Sequence, residues 1–401
     1  MKASKIAIIG GGLGGLVSGY LLSKRDNRIT IFEKENFLGG LVGGFKMEGA
    51  NLEKTYHHFF RTDTDLIELL KEVGLGKNIL WNKSSTGLYW NGKMYPFLGV
   101  IDLLKFQPLN LIDKLRMGLV AIYLQYDNNW QKYEKVTAVD WMKKAVGKKA
   151  YEVVWKPLLK GKFDDVYDKI SMAWLWARIH TRGNSKDEQG NESLGYIAGG
   201  FEKLIERLAE LIKKNGGKIN LNTEIKNIKD LEKEFDLVID TRPAKNIDYL
   251  GMINVVFSSK QNLSPYYWHN INDTNSPFVA LLQHTNLIDK SNYQNKHIYY
   301  LGTYLSQSHK YFGWSDEQIE KEFLDYLVKI FPKFNKKQIN EIKVFRFKYA
   351  QHIVTTNYKV PNYKVGKKIY QMNLAQIYPE DRGMNFAVKE AKKMIKEITG
   401  V

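Results

Sequence analysis

A chain of 401 residues, 44% hydrophobic and 13% aromatic, can bury sizeable cores, and its length predicts two or three domains and excludes a disordered or fibrous chain. The absence of cysteine excludes disulfides, thiolate metal sites and cysteine nucleophiles and fits a reducing, cytoplasmic compartment, while the eight histidines show no metal-ligand spacing, so no metal is expected. The net charge of +17 rests on scattered lysines accompanied by acids, without the dense basic block of a nucleic-acid binder; a lysine-rich bias explains it most simply, and an anionic substrate comes second.

The run from Ile6 to Leu22 mimics a secretion signal, but glycines interrupt it, three in a row at Gly10 to Gly12, and no small-residue cleavage site follows. Arg25 and Asp26 end it too early for a transmembrane helix. It divides instead into a short buried strand, Ile6 to Ile9, a Gly10-x-Gly12-x-x-Gly15 turn, and a helix with Leu13, Leu16, Val17, Tyr20 and Leu21 at helical spacing. A second strand, Arg28 to Phe32, closes on Glu33. Strand, glycine turn, helix, strand and acid in that order predict a dinucleotide site. The first glycine permits the turn, the second lets backbone approach a diphosphate, and the third lets helix and strand pack closely. The helix N-terminus offers free amides to the phosphates, and Glu33 accepts hydrogen bonds from a ribose diol. Gly39-Gly40 follows, so that a second backbone segment can close over the diphosphate.

Further along, His57-His58 follows a strand-like segment and reads more readily as packed histidine than as a polar group at the substrate. Phe97 to Tyr126 is apolar, but five charges and Pro108 break it into two helices expected to pack on the domain. Trp155, Trp174 and Trp176 read as core, and Lys160 and Arg178 as anion contacts or solvated charges. Gly183 to Gly195 is a polar loop. Gly199-Gly200 precedes a helix with Leu204, Ile205, Leu208, Leu211 and Ile212 on one face; Gly216-Gly217 stops it, a strand begins at Ile219, and another ends at Asp240. Strand-like runs at 251–259, 278–287 and 297–305 predict a sheet walling a pocket, with Tyr266, Tyr267 and Trp268 as aromatic lining or a strand edge. The C-terminal segment reads as a strand from Lys368 to Met372, then Asn373, a loop "YPEDRG", and a helix from about Met384.

The segments "IAIIGGGLGGL", "IFEKENFLGG", "GYIAGGFEKLIERLAELIKKNGGKINLNTEI", "FDLVIDTRP" and "MNLAQIYPEDRGMNFAVKEA" together resemble the FAD-dependent amine oxidase, protoporphyrinogen oxidase and phytoene desaturase superfamily. The closest likeness is to bacterial and archaeal protoporphyrinogen-oxidase-like oxidoreductases. The resemblance implies an α/β fold: a discontinuous Rossmann-like FAD-binding domain over 1–55, 190–245 and 340–401, with an inserted α+β substrate domain over 56–189 and 246–339. It assigns FAD contacts to Gly10, Gly12, Leu13, Gly14, Gly15, Glu33, Lys34, Gly39 and Gly40. Ile225 would meet adenine through its backbone. Asn373, Asp381, Arg382, Gly383, Met384 and Asn385 would reach the flavin end, with Arg382 pairing the diphosphate. Tyr349, Gln351 and His352 would lie near the flavin ring. Leu41 stands where an arginine often follows the second glycine pair, and a short "KDLEKE" replaces the usual β-meander.

The implied activity is oxidation of a C–N or C–C bond by hydride transfer to flavin N5. The substrate would be a small molecule, anionic or lipophilic, with oxygen, a quinone or another carrier as electron acceptor and a peripheral membrane contact left open. A non-redox flavoenzyme of the sugar-nucleotide mutase kind and an FAD-binding chaperone or escort protein are the alternatives.

Overall fold

The computed structural model describes residues 4–400. Five parallel strands form one sheet in the order Ile369–Gln371, Leu237–Asp240, Lys5–Ile9, Arg28–Phe32, Lys218–Asn220. Ile6 to Ile9 are buried because the central strand is covered on both faces, as a parallel sheet requires. The helix Leu13–Ser23 packs on the helices Glu202–Lys214 and Met384–Thr399. Its burial on nearly every side explains a sequence with little polar face. Gly19 keeps it close to the sheet, since a Cβ there would lie 3.0 Å from Ile31 Cδ1. The predicted helix over the third segment is found at Glu202–Lys214, where Leu204, Ile205, Leu208 and Ile212 are buried. In place of a β-meander the chain makes one short helix, Ile228–Glu234, capped by the Asn227 side chain.

A second, seven-stranded sheet runs in the order Ile339–His352, Tyr249–Ser259, His297–Ser306, Ala280–Gln283, Trp268–Ile271, Thr86–Trp90, Lys93–Pro96. The three apolar runs after residue 246 supply its centre, and all eleven residues of Tyr249–Ser259 are buried. Two assignments differ from the sequence reading. The helix-rich first insert also contributes the two outermost strands at one edge. The strand Ile339–His352, placed by sequence in the dinucleotide segments, pairs along Tyr249–Ser259, so the division by sheet falls after His352. Helices Ala138–Val146, Lys156–Phe163 and Met172–Gly183 form a third body of core around Trp174 and Phe163. The run Phe97 to Tyr126 is two helices, Val100–Lys105 and Leu111–Tyr126. They pack on the domain as expected, but by one side only. Met117 and Leu124 are buried, whereas Leu111, Leu115 and Leu119 are exposed.

Candidate functional site

A cavity of about 1350 Å³ runs from the carboxyl ends of the parallel strands to the face of the larger sheet, at the crevice where ligands of open parallel sheets bind. One end is made by backbone. Gly10 has φ +107°, and a Cβ at Gly15 would lie 2.1 Å from the Gly10 carbonyl oxygen, so this turn admits no side chain there. A Cβ at Gly12 would meet nothing within 4 Å and would stand in the cavity. Gly12 is the extended cap of the helix Leu13–Ser23, which has neither a side-chain cap nor an acid in its first turn, leaving its amides for an anion. The second glycine pair closes onto the first, the Gly39 N–H donating to the Gly11 carbonyl at 2.8 Å. Glu33, 9% exposed, accepts from the Gly11 N–H at 2.6 Å and the Glu35 N–H at 2.9 Å, and it lines the cavity. Arg242 forks onto Asp240 with two 2.8 Å bonds and donates to the Ile225 carbonyl at 2.6 Å. That occupies one of the backbone groups the sequence reading left for adenine.

At the far end the helix Met384–Thr399 begins at the extended Gly383, again without a side-chain cap, with Met384, Phe386 and Ala387 on the cavity wall. Asn373 Nδ2 is a buried donor on that wall without a partner among the described residues, while its oxygen accepts from the Ala375 N–H. Two uncapped helix ends, an open glycine cradle and an orphaned amide donor suit a long dinucleotide with an anionic middle and a polar flavin edge.

Beyond them lies a cationic cluster. Asp381 accepts from Trp174 Nε1 at 3.1 Å and Arg178 Nη1 at 2.9 Å, and pairs with Lys162 Nζ at 3.2 Å. Burial alone would raise its carboxyl; Lys162, Arg178 and Arg382 outweigh burial and hold it at about 2. Arg382 Nη2 donates to the Tyr304 hydroxyl at 2.6 Å. Burial pushes the Tyr304 hydroxyl up, but Arg382 and Lys162 prevail and hold it below its ordinary range. Tyr56, beside it, is raised by burial. Arg182 and Trp268 complete this end. Burial first, and nearby arginines second, lower the histidines, His57 to about 4 and His58 to about 3, so both are neutral; His58 Nδ1 lies 3.0 Å from the Tyr267 hydroxyl.

Gly10, Gly12, Leu13, Gly14, Gly15, Glu33, Lys34, Gly39, Gly40, Ile225, Asn373, Asp381, Arg382, Gly383 and Met384 all line this cavity. Asn385 does not: its side-chain oxygen accepts from the Leu66 N–H and ties two helices together. Arg382 faces Tyr304 rather than the glycine turn, because Tyr304 offers it a hydroxyl at hydrogen-bond distance. His57, His58 and Tyr349 reach the cavity, but Gln351 and His352 are fully buried away from it. A register shift opposite Leu250 to Met252 breaks the two-residue alternation that would keep Tyr349 and Gln351 on one face. His352 Nε2 is engaged with the Ile377 carbonyl. Of the aromatic trio, Trp268 lines the cavity, Tyr267 holds His58, and Tyr266 does neither. On the helix Lys156–Phe163 the cavity residue is Lys162 rather than Lys160, on the same side as Pro157, Leu158 and Gly161. Tyr56, Tyr304, Lys162, Arg182 and Arg242 were not singled out from sequence. Arg182 had a signal, lying one helical turn after Arg178.

A family model, "Flavin containing amine oxidoreductase", matches residues 13–250. The chain is 29% identical over 269 residues to an uncharacterized protein of Methanocaldococcus jannaschii, covering 61% of this chain and 62% of that one. It is 24% identical over 263 residues to coproporphyrinogen III oxidase of Staphylococcus aureus, covering 58% and 56%. These matches span less than two thirds of either relative. An oxidoreductase from Methanosarcina mazei shares the fold with a TM-score of 0.73 at 15% identity, over 98% of this chain and 100% of that one. A Rossmann-like α/β domain joined to a second sheet, a cavity lined by the glycine turn and the start of the last helix, and a match over more than half the length lead to one conclusion: the chain belongs to the flavin containing amine oxidoreductase family, and its cofactor is FAD.

Proposed function

We propose that this protein is an FAD-dependent oxidoreductase that oxidises a C–N or C–C bond in a small anionic substrate, with oxygen, a quinone or another carrier as electron acceptor. The observation that carries the substrate class is the cluster of Lys162, Arg178, Arg182 and Arg382 at the flavin end of the cavity, where Asp381 pairs with Lys162 and Arg178 and Glu192 offsets part of the Arg182 charge. Two carboxylates leave four half-buried cations with a net positive charge, so an anionic group on the substrate completes the set. FAD supplies the hydride acceptor.

The chain's own residues bind, orient and exclude water. The cations fix the anionic group, Tyr56 and Trp268 close the apolar wall, and the amides at Gly383 and Met384 favour negative charge beside them. The Tyr304 hydroxyl, with its proton loosened by Arg382, is placed to hold or release a proton at its oxygen.

The test is anaerobic mixing of the flavin-loaded protein with carboxylate-bearing amines and with coproporphyrinogen III, beside a cationic polyamine as contrast. Bleaching of the visible flavin band by an anionic compound and not by the polyamine is expected. A band unmoved by every compound, in protein that dithionite and then air cycle normally, would overturn the oxidation reading; bleaching by the polyamine alone would overturn the anionic one.

A further inference from the structure

Of the sixteen large hydrophobic side chains exposed among the described residues, eleven lie between Leu98 and Tyr126. They are ordered. On the helix Leu111–Tyr126, Leu111, Leu115, Leu119, Ile122 and Tyr126 recur every three or four residues along the outer side, with Leu119 68% exposed. Met117 and Leu124 on the inner side are buried. The preceding helix, Val100–Lys105, repeats the arrangement with Val100, Ile101 and Leu104 outward, Val100 being 72% exposed. The two helices are tied together by Lys114 Nζ, which donates to the Leu104 carbonyl at 2.8 Å. Among the described residues nothing covers this face, and a contiguous apolar surface on a well-capped helix marks an interaction site.

The charges around it select the partner. The outer helix packs on the segments Ala138–Val146 and Lys148–Ala150, which expose Lys143, Lys144, Lys148 and Lys149. Arg116 anchors the helix to that basic segment, donating to the Lys144 carbonyl at 2.8 Å. At the other end Lys132 meets the Tyr123 hydroxyl at 2.7 Å and is matched by Asp127 at 2.6 Å, so the unmatched cations of the rim are the four lysines of that basic segment. An apolar face rimmed by cations complements a surface that is apolar within and anionic at its edge. A second copy of the chain would bring a like basic rim against this one. Tyr123 and Tyr126 close the face with rings that suit a lipid-water boundary.

We infer that the helices Val100–Lys105 and Leu111–Tyr126 seat the protein on the surface of an anionic lipid bilayer, lying in the interface without crossing it. Among the described residues no helix is long and apolar enough to cross. The same outer helix packs on Met172–Gly183, which carries Arg178 and Arg182 on the cavity wall, so one helical layer separates the lipid-facing side from the cavity. The inference holds whichever substrate the cavity takes.

The test is co-sedimentation of the FAD-loaded, full-length protein with phosphatidylcholine vesicles containing phosphatidylserine and with pure phosphatidylcholine vesicles. Binding to the anionic vesicles is expected, with weaker binding to the neutral ones. The double variant Leu115→Glu/Leu119→Glu should lower the partition coefficient by about a hundredfold, at roughly tenfold per leucine, with flavin spectrum and melting temperature unchanged. Lys148→Glu/Lys149→Glu should remove most of the preference for anionic lipid, about tenfold or more. The inference is overturned by wild-type protein that stays in the supernatant with both vesicles, or by equal binding of the wild type and the leucine variant. It is equally overturned by a self-associated wild type that the leucine variant dissociates while neither binds vesicles, which would give the face to a second copy of the chain.

Discussion

Gly12 and Gly15 belong to the same six-residue turn, yet the structure separates their roles. In Gly15→Ala the new Cβ would stand 2.1 Å from the Gly10 carbonyl oxygen, a backbone atom held between strand and helix. Relief requires moving the strand or the helix, so this variant should fail to fold stably even without FAD. In Gly12→Ala the Cβ meets nothing within 4 Å, and the φ of −70° and ψ of 174° suit alanine. The unfolded-state gain of about 0.4–1 kcal/mol roughly offsets the weaker helix cap, worth about 1 kcal/mol at most, so the apoprotein should melt near the wild type. The added methyl occupies the space through which backbone amides reach the diphosphate. Two charge-assisted hydrogen bonds lost at about 1.5–3 kcal/mol each correspond to a dissociation constant raised roughly a hundred- to ten-thousandfold. Titration of apoprotein with FAD by flavin fluorescence, beside a thermal melt of the same samples, measures both. A Gly12→Ala protein that melts normally and binds FAD like the wild type would refute the placement of the diphosphate over this turn.

Three further outcomes are expected. Glu33→Ala removes an acceptor for two backbone N–H groups and for the ribose diol, and should raise the FAD dissociation constant roughly ten- to a hundredfold; equal affinity in the same titration would exclude Glu33 as the ribose ligand. Arg182→Gln should raise KM for an anionic substrate by about tenfold or more and leave FAD affinity alone, because Arg182 lies at the substrate end; steady-state kinetics paired with FAD titration separate the two. Glu53, fully buried against Tyr196 and the Phe201 N–H, is raised by burial from 4.5 to about 7. The native carboxyl therefore keeps a proton that the unfolded chain releases between those values, and stability falls as pH rises through that window, by an increment of about 3 kcal/mol. Denaturant melts of Glu53→Gln should lack that decline, and an identical pH profile in both proteins would show that Glu53 titrates normally.

The dinucleotide end was legible because it is built of backbone over consecutive residues. Strand, turn, helix and acid follow one another from Ile6 to Glu33, and each announces itself by a local rule: an apolar run, glycines, helical spacing, then a carboxylate at the strand end. The helix Met384–Thr399 was legible for the same reason, its start marked by the glycine that ends the loop before it. Misplaced residues fell where a non-local event intervened. Gln351 and His352 left the cavity because a register shift lies between them and the regular strand. Asn385 turned to the Leu66 amide, a partner 319 residues away in sequence.

The substrate end resists sequence reading for a reason that bears on its chemistry. Its cations come from three separate elements: Lys162 from one helix, Arg178 and Arg182 from the next, and Arg382 from a loop some two hundred residues later; the sequence marked Arg178 and Arg382 singly, and Lys162 and Arg182 not at all. Only the fold brings them together around Asp381. Solvated charges on separate helices would gain little from such an approach and would repel one another. Held together on one cavity wall, with Asp381 shared between Lys162 and Arg178 and Arg382 leaning on the Tyr304 hydroxyl, they oppose folding until something negative joins them. Stability carried against that repulsion is the physical signature of a binding site, and it predicts that an anionic ligand raises the melting temperature of the FAD-loaded protein more than that of Arg182→Gln. Equal stabilisation of the two proteins would mean that the cluster is structural and that the anion binds elsewhere.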